Sequence, residues 1–346
     1  MVKSAYRVSV VVPTYKRPDM LERCLTALLE QDFDATAYEV IIVDDAASDE
    51  TRQMVACWSE RVCSCGKTLR YVAMNGCAHG PAAARNAGWR AARGEIIAFT
   101  DDDCIPTPQW LRAGVEAFTA SVIGVAGRLV MPLRSMPTDY ELNAAYLTHS
   151  EFVTANCFYR RACLAAVGGF DERFSAAWRE DSDLFFTLCK RSSATGQVPG
   201  MENAVIPLEG TFAYAPAAVV VHPIRSARWG ISLSQQRKSM FNALLYKKHP
   251  DLYRQKVQAA PPWLYYGIVV ALLVCIGGML GQQQHLAFGA ACLWLLLTGG
   301  FCLQRLRRTS RQPGHIAEML ITSALIPPLA IFWRLRGAIK FRVWFL

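Results

Sequence analysis

Ile96-Ile97-Ala98-Phe99-Thr100-Asp101-Asp102-Asp103, residues 96–103, is a short apolar run that ends in three consecutive aspartates. An unbroken apolar run of this length is the mark of a strand buried on both faces, as in a parallel sheet. Three adjacent carboxylates repel one another unless a cation neutralises them. The stretch therefore predicts a sheet with an anionic strand end suited to a divalent metal, Mg2+ or Mn2+, bridging a diphosphate. Taken alone, a triple aspartate also fits a solvated turn, and its context decides between the two.

Upstream, the same pattern recurs. Val8–Val12 is a β-branched run ended by Pro13, Val40–Val43 runs into Asp44-Asp45, and Leu69–Val72 is a third candidate strand before Glu95–Thr100. Between them lie helical periods. Asp19 and Glu22 have capping-box spacing, Ser48 and Asp49 can cap a helix from Glu50, and Pro81–Ala92 is alanine-rich with proline in its first turn. Strands alternating with helices imply right-handed βαβ units and an α/β fold, a mostly parallel sheet flanked by helices. Ligands of such sheets bind at the carboxyl ends of the strands, where both acidic clusters fall. Pro13-Thr14-Tyr15-Lys16-Arg17 stands where a dinucleotide-binding domain has its glycine-rich turn, and no P-loop is present. After Ile123 the rhythm loosens: a strand over Glu151–Phe158, a helix over Arg161–Val167, a turn at Gly168-Gly169, a helix over Asp181–Lys190, and Val219–Val221 before His222-Pro223.

The charge is segregated. The 346 residues carry a net +9, but from Arg228 onward fifteen Lys and Arg face only Asp251 and Glu318, a surplus of +13 that leaves −4 for residues 1–225. Between Lys256 and Arg305 there are 48 positions without a charged side chain, enough for two membrane crossings. They are placed near Trp263–Leu280 and Leu286–Leu303, as C-terminal membrane helices. A third apolar segment, 316–333, carries Glu318 and Pro327-Pro328 and suggests a re-entrant or interfacial hairpin bent at the prolines. Arginines flank it on both sides, so the positive-inside bias puts both termini in the cytosol, with the catalytic domain on the cytosolic face of the cell inner membrane. The basic excess lies in the membrane part, which argues for anionic head groups and against nucleic acid as the partner.

No secretory signal precedes the first strand. Twelve cysteines scattered through predicted helices, strands and spans fit a reducing compartment. Cys57, Cys63, Cys65 and Cys77 cluster in sequence without the spacing of a structural zinc site. The expected organisation is residues 1–225 as the catalytic domain, 226–260 as a basic amphipathic connector at the membrane surface, and 261–346 as the membrane region.

Read in order, VSVVVPTYKR (8–17), VIIVDDAASDET (40–51), GPAAARNAGWRAARG (80–94), IIAFTDDDCIP (96–106), GGFDERF (168–174) and EDSDL (180–184) resemble the motifs of family 2 glycosyltransferases of GT-A fold. The resemblance covers roughly residues 6–225 and rests on the ordered set. It implies a nucleotide-diphosphate sugar as donor, with Pro13, Thr14, Tyr15 and Arg17 lining the nucleotide pocket. Asp44 would contact the base, Asp45 and Asp102 would lie near the ribose, and Arg85 would face the nucleotide or diphosphate. Asp101 and Asp103 match the family's DxD pair, with Asp103 the metal ligand and His222 a candidate third. Glu180-Asp181 matches the catalytic acidic pair, with Asp181 as general base of an inverting transfer. Capping of a helix start is the plain alternative for that pair. Asp183, two positions on, points elsewhere on the helix. Trp178, Gly169, Asp171 and Asn156, with Arg160, would shape the acceptor side.

One departure bears on the acceptor. Processive members of the family carry QxxRW, whereas here Gln235-Gln236-Arg237-Lys238-Ser239-Met240 lacks the tryptophan. Transfer of one sugar to a lipid-linked or glycan acceptor follows, the alternative being a membrane-bound protein that binds a nucleotide sugar without turning it over.

Overall fold

The computed structural model describes residues 6–76, 79–192 and 210–345. In chain order, β1 (Val8–Thr14), α1 (Pro18–Leu29), β2 (Tyr38–Asp44), α2 (Asp49–Cys63), β3 (Thr68–Ala73), α3 (Pro81–Ala91) and β4 (Ile96–Phe99) alternate as the apolar runs predict. There follow β5 (Ile105–Pro106), α4 (Trp110–Glu116), β6 (Val122–Val130), α5 (Asp139–Ala145), β7 (Cys157–Arg160), α6 (Arg161–Val167), α7 (Glu180–Ser192) and β8 (Thr211–Val221). The remainder is helical: α8 (Ile231–Gln235), a 3-10 turn (Gln236–Met240), α9 (Phe241–Lys248), α10 (Pro250–Lys256), α11 (Trp263–Leu280), α12 (Gln284–Leu306) and α13 (Pro313–Phe341).

Chain contacts divide these elements into two compact units, Met1–Pro132 with Leu147–Pro223, and Leu133–Tyr146 with Ile224–Leu346. The first is built on an eight-stranded sheet in the order β3-β2-β1-β4-β7-β6-β8-β5. β1 to β4 are parallel, β7 runs antiparallel to β4 and β6, and β8 lies parallel to β6. Alternate residues of the central strands face opposite layers. Val10, Val12, Val40 and Ile42 pack with Leu21, Leu25 and Leu28 of α1 and with Trp110 of α4. On the other face α3 lies so close to β1 and β2 that a Cβ on Gly88 would collide with Val11 and touch Val43 at 3.0 Å. The sheet is thus covered on both sides, which is why its strands read as unbroken apolar runs.

Three local expectations are corrected. The helix after β1 starts at Pro18, so Asp19 falls inside its first turn and the residue before the helix, Arg17, makes no side-chain cap; the capping box is not formed. Proline's fixed φ favours the first helical position and sets that start. β1 itself continues through Pro13, opposite Val43, to Thr14. Of the expected 151–158 strand only Cys157 and Phe158 pair with β4 and β6, and the observed strand runs on to Arg160. Phe152 adopts a positive φ of 53° and Asn156 N–H closes a turn on Val153 O, which holds the preceding residues out of the ladder.

In the second unit, α11, α12 and α13 are each long and apolar enough to cross a membrane. α13 is one helix that continues through Pro327-Pro328, so the prolines do not split it into two arms. Each proline removes one backbone hydrogen bond, a loss that membrane helices tolerate where neighbours and hydroxyl side chains re-satisfy the freed groups. Arg305 at the end of α12 is the polar centre of this unit. It donates to Asp139 Oδ2 at 2.7 Å, to Thr322 Oγ1 at 2.8 Å and to Ser323 Oγ at 2.9 Å. Asp139 opens α5, whose start is a capping box between Thr138 and Glu141. The short excursion 133–146 is therefore fastened to α12 and α13.

Candidate active site

The carboxyl ends of β1, β2 and β4 lie side by side, Thr14 opposite Asp44 and Val11 opposite Phe99, and each feeds an acidic or polar loop. At the end of β4 the three aspartates diverge. Asp102 is buried and turns toward β1, accepting from Thr14 Oγ1 at 2.8 Å and from Arg17 Nη1 at 3.4 Å. Burial raises its pKa, against the opposing charge of Arg17. It ties two loops together, with 3% of its surface exposed, rather than lying open to a ribose.

Asp101 and Asp103 face the other way. One ligand atom from each of Asp101, Asp103, Cys104 and His222 lies within 4.8 Å of the others. Strand pairing explains this meeting of residues over a hundred positions apart. β5 runs antiparallel to β8 with Ile105 opposite Val221, so Asp103 and Cys104, just before β5, come level with His222, just after β8. His222 Nε2 is 3.7 Å from Asp103 Oδ1. The two carboxylates are the hard oxygen donors that Mg2+ and Mn2+ take, and the His222 imidazole adds a borderline nitrogen donor. Burial, then the charges of Asp101 and Asp103, push the Cys104 thiol up, which keeps it protonated and a poor ligand. The residues fit a divalent cation.

Behind this cluster sits Arg85 of α3. It is buried, donates to Asp101 Oδ1 at 2.7 Å and to Glu180 Oε1 at 3.0 Å, and lies 5.9 Å from the centre of the Phe170 ring. Burial alone would lower its pKa; the carboxylates of Asp101 and Glu180 more than offset that and raise it. Arg85, expected to face the nucleotide or diphosphate, is enclosed between two acids. Glu180 begins α7 immediately after Arg179, whose φ of 76° is strained for a residue with a side chain. Burial first, then the neighbouring charge of Asp181, raise the Glu180 pKa to about 7 against the pull of Arg85. Its Oε2 is buried with no hydrogen-bond partner among the described residues. Asp181 is half-buried; burial raises its pKa, while Ser182 N–H at 2.6 Å and Ser182 Oγ at 3.2 Å oppose the rise by donating to Oδ1. Asp183 is buried.

A cleft of about 550 Å³ is bounded by Tyr15, Lys16, Asp45, Ala46, His79, Gly80 and Ser175. Tyr15 is exposed. Asp45 accepts from His79 Nδ1 at 3.0 Å and from Gly80 N–H at 2.9 Å. Gly80 has a φ of 104°, and a Cβ there would stand 2.8 Å from Ser175 O, so the cleft wall needs a glycine. Asp44 does not open onto this cleft. It is fully buried, and its carboxylate accepts from Ala46 N–H, Ser48 N–H and Oγ, and Tyr71 Oη. It shapes the loop that carries Asp45. Pro13 ends half-buried in β1, below Tyr15.

The residues expected on the acceptor side separate. Trp178 is 38% exposed with the Arg179 guanidinium 4.8 Å from its ring centre. Asp171 is engaged by Arg173 at 2.6 Å. Gly169 has a φ of 83° and packs where a Cβ would collide with Asn86 and Trp89. Asn86, which the sequence reading passed over beside Arg85, clamps this turn through Phe170 N–H and Phe170 O, both at 2.9 Å. Asn156 is a correction: it is fully buried, accepts from Trp110 Nε1 at 2.8 Å and donates to Arg128 O and Ala218 O, so its side chain is used up in joining strands. Arg160 is another, since it pairs with Ile96 at the opposite end of β4 and bonds Val122 O, Thr119 O and Glu95. His79 and Ser175 were also missed; for His79 the signal was its place just before the Gly80-Pro81 helix start. Cys77 lies outside the described residues, and Cys57, Cys63 and Cys65 are exposed, free thiols.

Residues 9–162 match the model of the family described as Glycosyl transferase family 2. The chain carries a family 2 glycosyltransferase domain. It is 32% identical over 120 residues to the glycosyltransferase AglE of Haloferax volcanii, covering 35% of this chain and 38% of that one. Validoxylamine A glucosyltransferase of Streptomyces hygroscopicus subsp. jinggangensis is 27% identical over 219 residues, 52% of this chain and 51% of its own. The GalNAc(5)-diNAcBac-PP-undecaprenol beta-1,3-glucosyltransferase of Campylobacter jejuni is 32% identical over 97 residues, 28% and 29% of the two chains. The chain thus spans about half or less of the length of these curated relatives. Among solved structures, the mannosyltransferase PcManGT of Pyrobaculum calidifontis, in complex with GDP-Man and Mn2+, superposes with a TM-score of 0.52 at 19% identity over 97% of this chain and 87% of its own. That likeness establishes the GT-A fold for the family 2 domain.

Proposed function

We propose that this chain transfers one sugar from a nucleotide-diphosphate sugar to a lipid-linked or glycan acceptor, with inversion at the anomeric carbon, on the cytosolic face of the cell inner membrane. The observation that carries the reading is the meeting of Asp101, Asp103 and His222 within 4.8 Å, with Arg85 linking Asp101 to the Glu180-Asp181 pair. In this reading Asp103, Asp101 and His222 hold a divalent cation, Mg2+ or Mn2+. When bound, that ion supplies positive charge against the departing diphosphate.

The protein's own groups do the rest. Tyr15, Asp45 and His79 receive the nucleoside, an exposed ring for the base and a carboxylate for a hydroxyl or ring N–H. Arg85 holds Asp101 in place from behind. Asp181 takes the proton from the acceptor hydroxyl as its oxygen bonds the anomeric carbon and the bond to the diphosphate breaks. Trp178 offers a ring for the acceptor. The C. jejuni relative's acceptor, named as carried on PP-undecaprenol, and the three apolar helices support a lipid-linked acceptor.

The decisive test is a panel of nucleotide sugars offered to the full chain in detergent with Mg2+ or Mn2+, scoring nucleotide diphosphate release. Release that requires acceptor and metal supports the proposal; tight binding of a nucleotide sugar without release in any acceptor extract would replace it with a binding protein.

A further inference from the structure

The helical unit contains a groove of about 620 Å³ that the proposed reaction does not use, lined by Gly300, Leu303, Gln304, Arg307, Arg311 and Ile316 among others. Its two ends differ in chemistry. Gly300 to Leu306 is the last part of α12, about 9 Å along the axis. There Leu303 is 67% exposed, and a Cβ added to Gly300 meets nothing within 4 Å. Just past the helix end stand Arg307 and Arg311, both exposed. Arg305 beside them is taken by Asp139, whereas Arg307 and Arg311 pair with no carboxylate among the described residues.

From these features we infer that the groove binds a net-anionic phosphate lipid, its phosphate between Arg307 and Arg311 and its hydrocarbon chain along Gly300, Leu303 and Ile316. Guanidinium geometry suits a phosphate. An apolar channel that descends about two turns into a span has no use for a water-soluble anion. The missing side chain at Gly300 leaves the width that a hydrocarbon chain needs. The site depends only on α12 crossing a membrane and is independent of the sugar-transfer chemistry.

The test is native mass spectrometry of the full chain in neutral detergent, titrated with dioleoyl phosphatidic acid, dioleoyl phosphatidylcholine or inorganic phosphate. One phosphatidic acid should bind per chain, phosphatidylcholine should bind at least about tenfold more weakly, and inorganic phosphate should not displace the lipid. Arg307→Gln with Arg311→Gln should weaken phosphatidic acid about thirtyfold, the effect of two interfacial charges, and Lys at both positions should restore most of it. Gly300→Leu keeps both arginines, fills the channel and should also abolish the adduct; all three positions are open, so the variants fold. Equal binding by wild type and the double Gln variant would overturn the inference. So would unchanged binding by Gly300→Leu, or displacement by inorganic phosphate, which would leave a bare anion site.

Discussion

The guanidinium of Arg85 rests on the carboxylate of Glu180, Nη1 to Oε1 3.0 Å, with both side chains buried. This joins α3 to the start of α7 across 95 positions of chain and places a charged pair beneath the aspartates of β4. The second oxygen of Glu180 has no hydrogen bond among the described residues, and its environment as a whole favours the protonated acid.

That preference has a pH signature. The Glu180 pKa rises on folding from 4.5 to about 7, so the folded chain binds more protons than the unfolded one between those values. Stability from this group is therefore present at low pH and falls as pH climbs from about 4.5 to about 7, by up to roughly 3 kcal/mol. Glu180→Gln, a permanent mimic of the neutral acid, should match wild type in melting temperature near pH 5 in metal-free buffer and exceed it at pH 8. Parallel melting curves for the two proteins across that range would contradict the assignment.

Asp181 and Asp183 sit two residues apart on α7 and should separate cleanly. Asp181→Asn should lower turnover by at least about a hundredfold with little change in donor binding, the lower range for loss of a general base. Asp183→Asn, at a buried position, should lower the melting temperature and alter turnover only a few-fold. Steady-state release of nucleotide diphosphate, with donor binding measured separately, distinguishes them, and full activity in Asp181→Asn would remove it from the mechanism.

Chelation should abolish nucleotide release, and Mg2+ or Mn2+ should restore it. Asp103→Ala should stay inactive at any metal concentration. His222→Ala should raise the metal concentration for half-activity by about tenfold or more, the effect of about 1.4 kcal/mol from one lost ligand. A metal titration of the three proteins checks this, and an unaltered curve for His222→Ala would confine the site to the aspartates.

Asn156→Ala should act on the fold. It strands the Trp110 indole N–H and the carbonyls of Arg128 and Ala218, a cost of about 3 kcal/mol. The melting temperature should drop by several degrees, while the acceptor KM of the remaining folded protein stays near the wild-type value. A raised acceptor KM with unchanged melting would restore Asn156 to the acceptor side.

What the sequence disclosed follows from how local each signal is. β1, β2 and β4 were legible because strands covered on both faces are largely apolar, and the ends of β2 and β4 were legible because Asp44-Asp45 and Asp101–Asp103 interrupt them abruptly. Ser48 as a cap and α11 as a charge-free span were readable for the same reason. The interior of the site was not. Arg85 looks like any surface arginine of an alanine-rich helix until Asp101 and Glu180, 16 and 95 positions away, close on it. Asn156 looks like a loop residue until three partners from three other elements enclose it. His222 meets Asp103 only because β5, two residues long, pairs with β8, and no periodicity announces so short a strand.

Residues 133–146 belong with the helical unit although they are threaded between strands of the other, and Asp139 there is held by Arg305. A water-soluble fragment cut after residue 225 would keep those fourteen positions and discard what covers them, exposing an acid that the intact protein neutralises. Trimming this protein for crystallisation or screening therefore requires two edits, the second being replacement of the inserted loop by a short polar bridge between Pro132 and Leu147.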